Sequence, residues 1–189
     1  MNPLFRLGLA GAALLALAAC GGGSSSISSQ PKYATTGLKY TNPAEGQGSF
    51  ALIEDAASTP SALVLDLVGP GGSTPTPACG VTFGFDVDTT MATWVTSPVV
   101  SNGAVFTATN QEVQGWVNSG RLQAIVANKG LSTQVADLGT QVIAKITLQP
   151  VLGGFSGAVS LKDNGLGNLV DKTGTFYTFP VQVGTLTLY

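Results

Sequence analysis

The sequence predicts an all-β protein built as a single antiparallel β-sandwich, and three observations predict it. Short segments alternate apolar and polar residues with a period of two. Glycine and proline separate those segments, and no stretch sustains a helical period. The composition agrees: of 189 residues, 25 are glycine and 10 are proline, 44% are apolar and only 10% are charged. A disordered chain carries more charge and less apolar content. About nine short strands without long helices bury their apolar faces best as two facing sheets of jelly-roll type.

The first element is not part of that sandwich. Arg6 precedes an uncharged Ala/Leu/Gly run from Leu7 to Ala16 and then Leu17-Ala18-Ala19-Cys20. A charged start, an apolar core shorter than the roughly 18 to 25 residues that span a bilayer, and small residues before a cut describe a secretory leader. Leu-Ala-Ala-Cys resembles the site at which bacterial lipoproteins are diacylated on sulfur and cleaved, which makes residues 1–19 the signal peptide and Cys20 the lipidation site. Gly21 stands where Asp would favour inner-membrane retention, so the expectation is a cell-envelope protein held at the outer membrane. Residues 20–30, with Gly21-Gly22-Gly23-Ser24-Ser25-Ser26, have the composition of a flexible tether. Residues 31–189 are the expected β-sandwich domain.

Within it, Leu63, Leu65 and Leu67 alternate with Val64, Asp66 and Val68 until Gly69-Pro70-Gly71-Gly72 breaks the run. Val81, Phe83, Phe85 and Val87 alternate with Thr82, Gly84, Asp86 and Asp88, the clearest half-buried strand. Residues 104–109, 122–127, 142–148, 157–161 and 176–183 are further expected strands. Residues 89–95 and 110–117 could each hold a helical turn or two. Gly184 lies where the apolar phase slips between Val181, Val183 and Leu186, Leu188, which predicts a kink. The expected core is Leu63, Leu65, Leu67, Val81, Phe83, Phe85, Ala144, Ile146 and Leu148.

The chain contains no histidine, which removes Ser-His and Cys-His nucleophile pairs and imidazole metal sites. A hydrolase would have to work through carboxylates, and only Asp86 and Asp88, two apart on one strand, offer a pair. Because nothing nearby in sequence suggests a pocket, they read as a solvated face and the protein as no enzyme. The formal charge is −2 with no basic cluster in the body, which excludes a nucleic-acid partner. Asp163, Asn164, Asn168 and Asp171 crowd oxygen ligands into one glycine-containing loop, a composition open to Ca or to a plain Asn-Gly turn; no other cofactor is implied. Cys79 reads as a small semi-buried residue.

Trp94, Trp116, Tyr33, Tyr40, Tyr177 and Tyr189 could serve as core or as flat rings for sugars. Trp94 ends an apolar segment and is expected in the core. Trp116 lies among Gln114 and Asn118, groups able to bond hydroxyls, and these three are the candidate ligand-binding residues.

Four stretches carry a resemblance. Val81 to Asp88 followed by Thr89-Thr90-Met91-Ala92-Thr93-Trp94 is similar to the alternating strand, Asp and short apolar segment of cohesins. Leu122 to Gly130, Val142 to Leu148 and Gly157 to Asp163 are similar to three further strands of the cohesin and carbohydrate-binding-module group. Thr89 stands where cohesins usually have Pro, and residues 31–62 have no clear counterpart. The resemblance implies an immunoglobulin-like nine-stranded jelly-roll. It also implies a binding module whose partner is a polysaccharide, or a protein module of an assembly engaged in polysaccharide catabolism, with the membrane contacted through the lipid on Cys20. The alternative is a structural or assembly lipoprotein that docks an envelope or secretion complex through its sheet face or edge.

Overall fold

The computed structural model describes residues 37–44, 49–71, 76–106, 111–129, 136–153 and 156–189. The expected leader, Cys20, the expected Gly/Ser tether and Tyr33 lie outside the described residues. No helix of the described residues is long and apolar enough to cross a membrane.

Two six-stranded sheets and two smaller ones account for every strand among the described residues. The first small sheet pairs β1 (Leu38–Thr41) with β17 (Thr185–Leu188) and β12 (Gly157–Val159); β4 (Pro77–Ala78) and β10 (Ala136–Asp137) form the other. One large sheet holds β16 (Val181–Gln182), β2 (Phe50–Glu54), β3 (Leu63–Val68), β11 (Val142–Pro150) and β6 (Ala92–Trp94) in that order, with β7 (Ser101–Asn102) also on β11. The facing sheet runs β15 (Phe176–Thr178), β14 (Asn168–Val170), β5 (Gly80–Val87), β9 (Arg121–Asn128) and β8 (Gln111–Asn118), with β13 (Leu161–Asp163) beside β14 on β5.

Register explains the core. Leu63, Leu65 and Leu67 of β3 lie opposite Leu148, Ile146 and Ala144 of β11. On the facing sheet Val81, Phe83 and Phe85 of β5 lie opposite Val126, Ala124 and Leu122 of β9. Cross-strand partners share a face, so the two inner surfaces are apolar by construction. All nine expected core residues are buried, none more than 2% exposed.

The structure departs from the sequence reading in several places. The strand count is roughly that of the expected jelly-roll; among the described residues it is divided into seventeen segments because long runs change partners partway. Residues 157–163 break at Ser160, β12 joining β17 and β13 joining β5. Residues 176–183 likewise divide, β15 pairing with β14 while β16 runs parallel to β2, so one pairing is not antiparallel. Residues 37–62, where the sequence offered no clear counterpart, supply β1 and β2. The helical turn expected over 89–95 is one Asp88-capped turn leading into β6, and the described part of 110–117 lies in the strand β8. Ala104, Val105 and Phe106 form bends where a strand was expected; the rest of that segment lies outside the described residues. The kink at Gly184 is present as the break between β16 and β17.

Candidate functional site

β8 and β9 form one hairpin, paired from Gln111 with Asn128 to Asn118 with Arg121. Its two-residue turn has Ser119 at φ 48° and Gly120 at φ 83°. Both central residues are left-handed, the geometry whose twist matches the strands, and glycine takes the second position without steric cost. Val113 and Val117 pack inward while Gln114, Trp116 and Asn118 are exposed on the outer face.

Pairing then orders that outer face in rows across the sheet. Asn118, Arg121, Asp86 and Lys162 form one row, and Trp116, Gln123 and Gly84 the next. The third runs across five strands through Gln114, Ile125, Thr82, Asn168 and Thr178. The fourth ends at Phe176, 66% exposed. Charges sit in the first row and at Glu112, which begins the fourth, and uncharged side chains fill the rows between.

Trp116 is 51% exposed, and its indole N–H donates to Oε1 of its cross-strand partner Gln123 at 2.6 Å. The bond holds the ring in place while leaving much of its surface open. Beside it Arg121 makes a two-pronged bond to Asp86, Nε to Oδ1 at 2.9 Å and a terminal N–H to Oδ2 at 3.1 Å. Asn164 reaches the same carboxylate with an amide N–H at 3.4 Å. The Arg121 hydrogen bond is the main reason the Asp86 carboxyl is held below the usual carboxylate range. Trp116, Asn118, Gln123, Arg121 and Asp86 line an open depression of about 590 Å³ at the hairpin end. A fixed ring, two amides and a neutralised ion pair suit a ligand with polar edges and a flat apolar face.

Of the three candidate ligand-binding residues, Trp116 and Asn118 enter this depression. Gln114 shares the face, but its amide is bonded to Glu112 at 2.7 Å. Trp94 is core, 3% exposed, with its indole N–H on the Gly120 carbonyl at 2.8 Å. Tyr40 is buried as well, while Tyr177 and Tyr189 are about half exposed.

Asp86 and Asp88 do not form a pair. The strand ends at Val87, and Asp88 instead accepts the amide and hydroxyl of Thr90 at 2.9 and 2.7 Å. The four calcium-candidate residues do not converge either. Asp163 accepts from the backbone of Gly165 and Val181, and Asn164 turns toward Asp86. Asn168 accepts from the Thr178 hydroxyl, and Asp171 caps the turn through Thr173 and Thr175 and accepts from the Tyr177 hydroxyl. Those bonds, led by the Thr173 hydroxyl, pull the Asp171 carboxyl down to about 2. Among the described residues no group of acids and cysteines could hold a metal ion. Cys79 is buried, which pushes its thiol above the usual range. Arg121 and Gln123 are the residues that sequence reasoning missed. The signal was Asn118-Ser119-Gly120-Arg121 read as a hairpin turn, which sets Gln123 opposite Trp116.

No protein-family model matches the chain, and the comparison with curated proteins gave no match. Solved structures do match, cohesins among them. The sixth cohesin of scaffoldin B from Acetivibrio cellulolyticus, solved in complex with a Cel5 dockerin mutant, is 18% identical with a TM-score of 0.54 over 72% of this chain and 96% of that one. A type II cohesin from the cellulosome of the same organism is 14% identical with a TM-score of 0.57, covering 75% and 95%. The seventh ScaB type I cohesin of Pseudobacteroides cellulosolvens is 14% identical at 0.53, covering 71% and 85%. The fold is a cohesin-like β-sandwich, and its neighbours bear out the architecture expected from the sequence.

Proposed function

Starting from a cohesin-like β-sandwich, we propose that this chain is a non-catalytic binding module, tethered to the cell envelope, that receives a protein module on the outer face of the β15-β14-β5-β9-β8 sheet. The observation that carries it is the platform itself: five adjacent strands, uncharged in the middle, with Trp116 exposed at one edge and Phe176 at the other. Such a face offers large rigid side chains, while its polar groups already hold partners, the anatomy of a protein-binding surface. That a similar structure was solved with a dockerin bound supports a protein module as the partner class. A photo-crosslinker in place of Gln123 should capture that partner from envelope extracts, whereas one in place of Thr147 on the opposite sheet should not. Equal capture from both positions overturns the assignment of the face.

A second reading comes from the depression beside Trp116, where Asn118, Gln123 and Arg121 surround the ring as sugar-binding sites surround an aromatic platform. Trp116→Ala should weaken binding of protein or glycan by on the order of 1 kcal/mol or more, with urea unfolding nearly unchanged. A variant that binds normally removes Trp116 from the site, and a glycan array decides between the two ligand classes.

The envelope tether follows from Leu17-Ala18-Ala19-Cys20. Cys20→Ser should leave an uncleaved or soluble form that incorporates no labelled fatty acid. Unchanged partition into detergent would place the anchor elsewhere.

A further inference from the structure

The outer face of the other large sheet carries a cluster that the binding face does not use. Lys145 in β11 lies directly opposite Asp66 in β3, and Asp66 lies opposite Ile53 in β2. Two residues beyond Ile53 the chain turns at Asp55. There the backbone is pinned by Asp55 N–H on the Val64 carbonyl at 2.9 Å, and the side chain by the Ala57 N–H at 2.6 Å. The Lys145 Nζ donates to Oδ2 of Asp55 and, at 2.9 Å, to Oδ1 of Asp66. Both carboxyl groups thus meet on one ammonium.

Asp66 is the only buried acid among the described residues, and desolvation pushes its carboxyl up, which suits it to carrying a proton. Asp55, bonded by Lys145 and Ala57, is held below its ordinary range, and it holds the Lys145 ammonium above its own. An amine, a carboxyl carbon within its reach and a second acid on the same amine therefore meet at one point, each fixed by a separate part of the fold. Asp55 and Asp66 side chains are only 15% and 12% exposed, so charge there lacks much of its hydration.

We propose that Lys145 and Asp55 condense, with Asp66 as proton shuttle, to an intramolecular isopeptide bond joining β11 to the turn after β2. Asp66 passes its proton to the Asp55 carboxylate and takes one from the Lys145 ammonium. The neutral Nζ then attacks Cγ of Asp55, forming the C–N bond as the carbonyl electron pair moves to oxygen, which is protonated by Asp66. Asp66 takes the second Nζ proton and returns it to one hydroxyl, which leaves as water as its C–O bond breaks; the remaining oxygen re-forms the carbonyl and gives its proton back to Asp66. Ammonium and carboxylate become amide and water, Asp66 ends as it began, and no oxidant or cofactor is consumed. Two charges vanish from a poorly hydrated site, which drives the step, and fixed geometry supplies a high effective concentration. The bridge joins positions 90 residues apart.

The test is peptide mapping by mass spectrometry of the full-length protein purified from membranes. The expected result is one branched peptide joining Asp55 to Lys145, lighter than its two parts by one water, with no tryptic cleavage after Lys145. Asp66→Asn, shown to be folded by circular dichroism, should yield the two peptides separately although both reacting residues remain, as should Lys145→Arg. Separate peptides at full mass from the folded parent protein overturn the proposal and leave an ion-paired triad. A branched peptide that persists in Asp66→Asn overturns the shuttle.

Discussion

Phe85→Ala is expected to destabilise the domain by about 3 to 5 kcal/mol, the usual cost of removing a fully buried phenylalanine. Phe85 is 0% exposed on the inner face of β5, flanked by Phe83 with ring centroids 6.0 Å apart and by Trp94 at 6.5 Å. The two neighbouring rings belong to both large sheets, so the cavity would open at the contact between them and backbone strands on either side could not close it. Asp88→Asn, one residue past the end of the same strand, should move the midpoint of urea unfolding far less, since it alters a solvent-facing turn cap. Equal shifts for the two variants would show that the inner face of β5 has been misassigned.

Gly184→Ala should be comparably damaging, about 3 kcal/mol or more, because the obstruction is backbone. A methyl group there would stand 2.0 Å from the Thr41 carbonyl oxygen and 2.9 Å from the Tyr40 ring. The Tyr40 hydroxyl donates to the Leu52 carbonyl at 2.9 Å and accepts the Gly184 N–H at 2.6 Å. It thereby ties β1 to both β2 and the kink before β17, and burial pushes it up to about 12. Tyr40→Phe keeps the ring and removes only this clasp, so a loss of about 1 to 3 kcal/mol is expected from the unpaired backbone groups left behind. Hydrogen exchange should separate the two effects. Gly184→Ala should expose the amides of β1 and β17, which pair along four residues from Leu38 to Thr41, whereas Tyr40→Phe should accelerate exchange mainly at Gly184. Parent-like stability and exchange in Gly184→Ala would mean that the close approach is not made in solution.

Residues near in sequence carried most of what was legible. A strand's side chains alternate because of the covalent backbone alone, so Leu63, Leu65 and Leu67, or Val81, Phe83 and Phe85, declare their common face without reference to any partner. The kink at Gly184 was legible for the same reason, as a slip of phase within one segment. β8 was not. Val113, Trp116 and Val117 stand at helical spacing, because Gly115 leaves a gap on the inner face and Trp116 puts an apolar ring on the outer one. Only the full-length pairing with β9 overrides that local pattern.

The candidate site shows the same division more sharply. The sequence by itself determined that the domain is an all-β sandwich, that its core is built from alternating leucines, valines and phenylalanines, and that Trp116 sits among hydrogen-bonding amides. Tertiary structure alone decided that Arg121 neutralises Asp86 across 35 residues, that Asp88 leaves the face which Asp86 keeps, and that Lys145 meets Asp66 and Asp55 across 79 and 90 residues. The physical reason is that strand periodicity is a property of the bonded chain. Register and sheet order are set by which apolar faces can be buried together, and that is settled only when the whole chain packs.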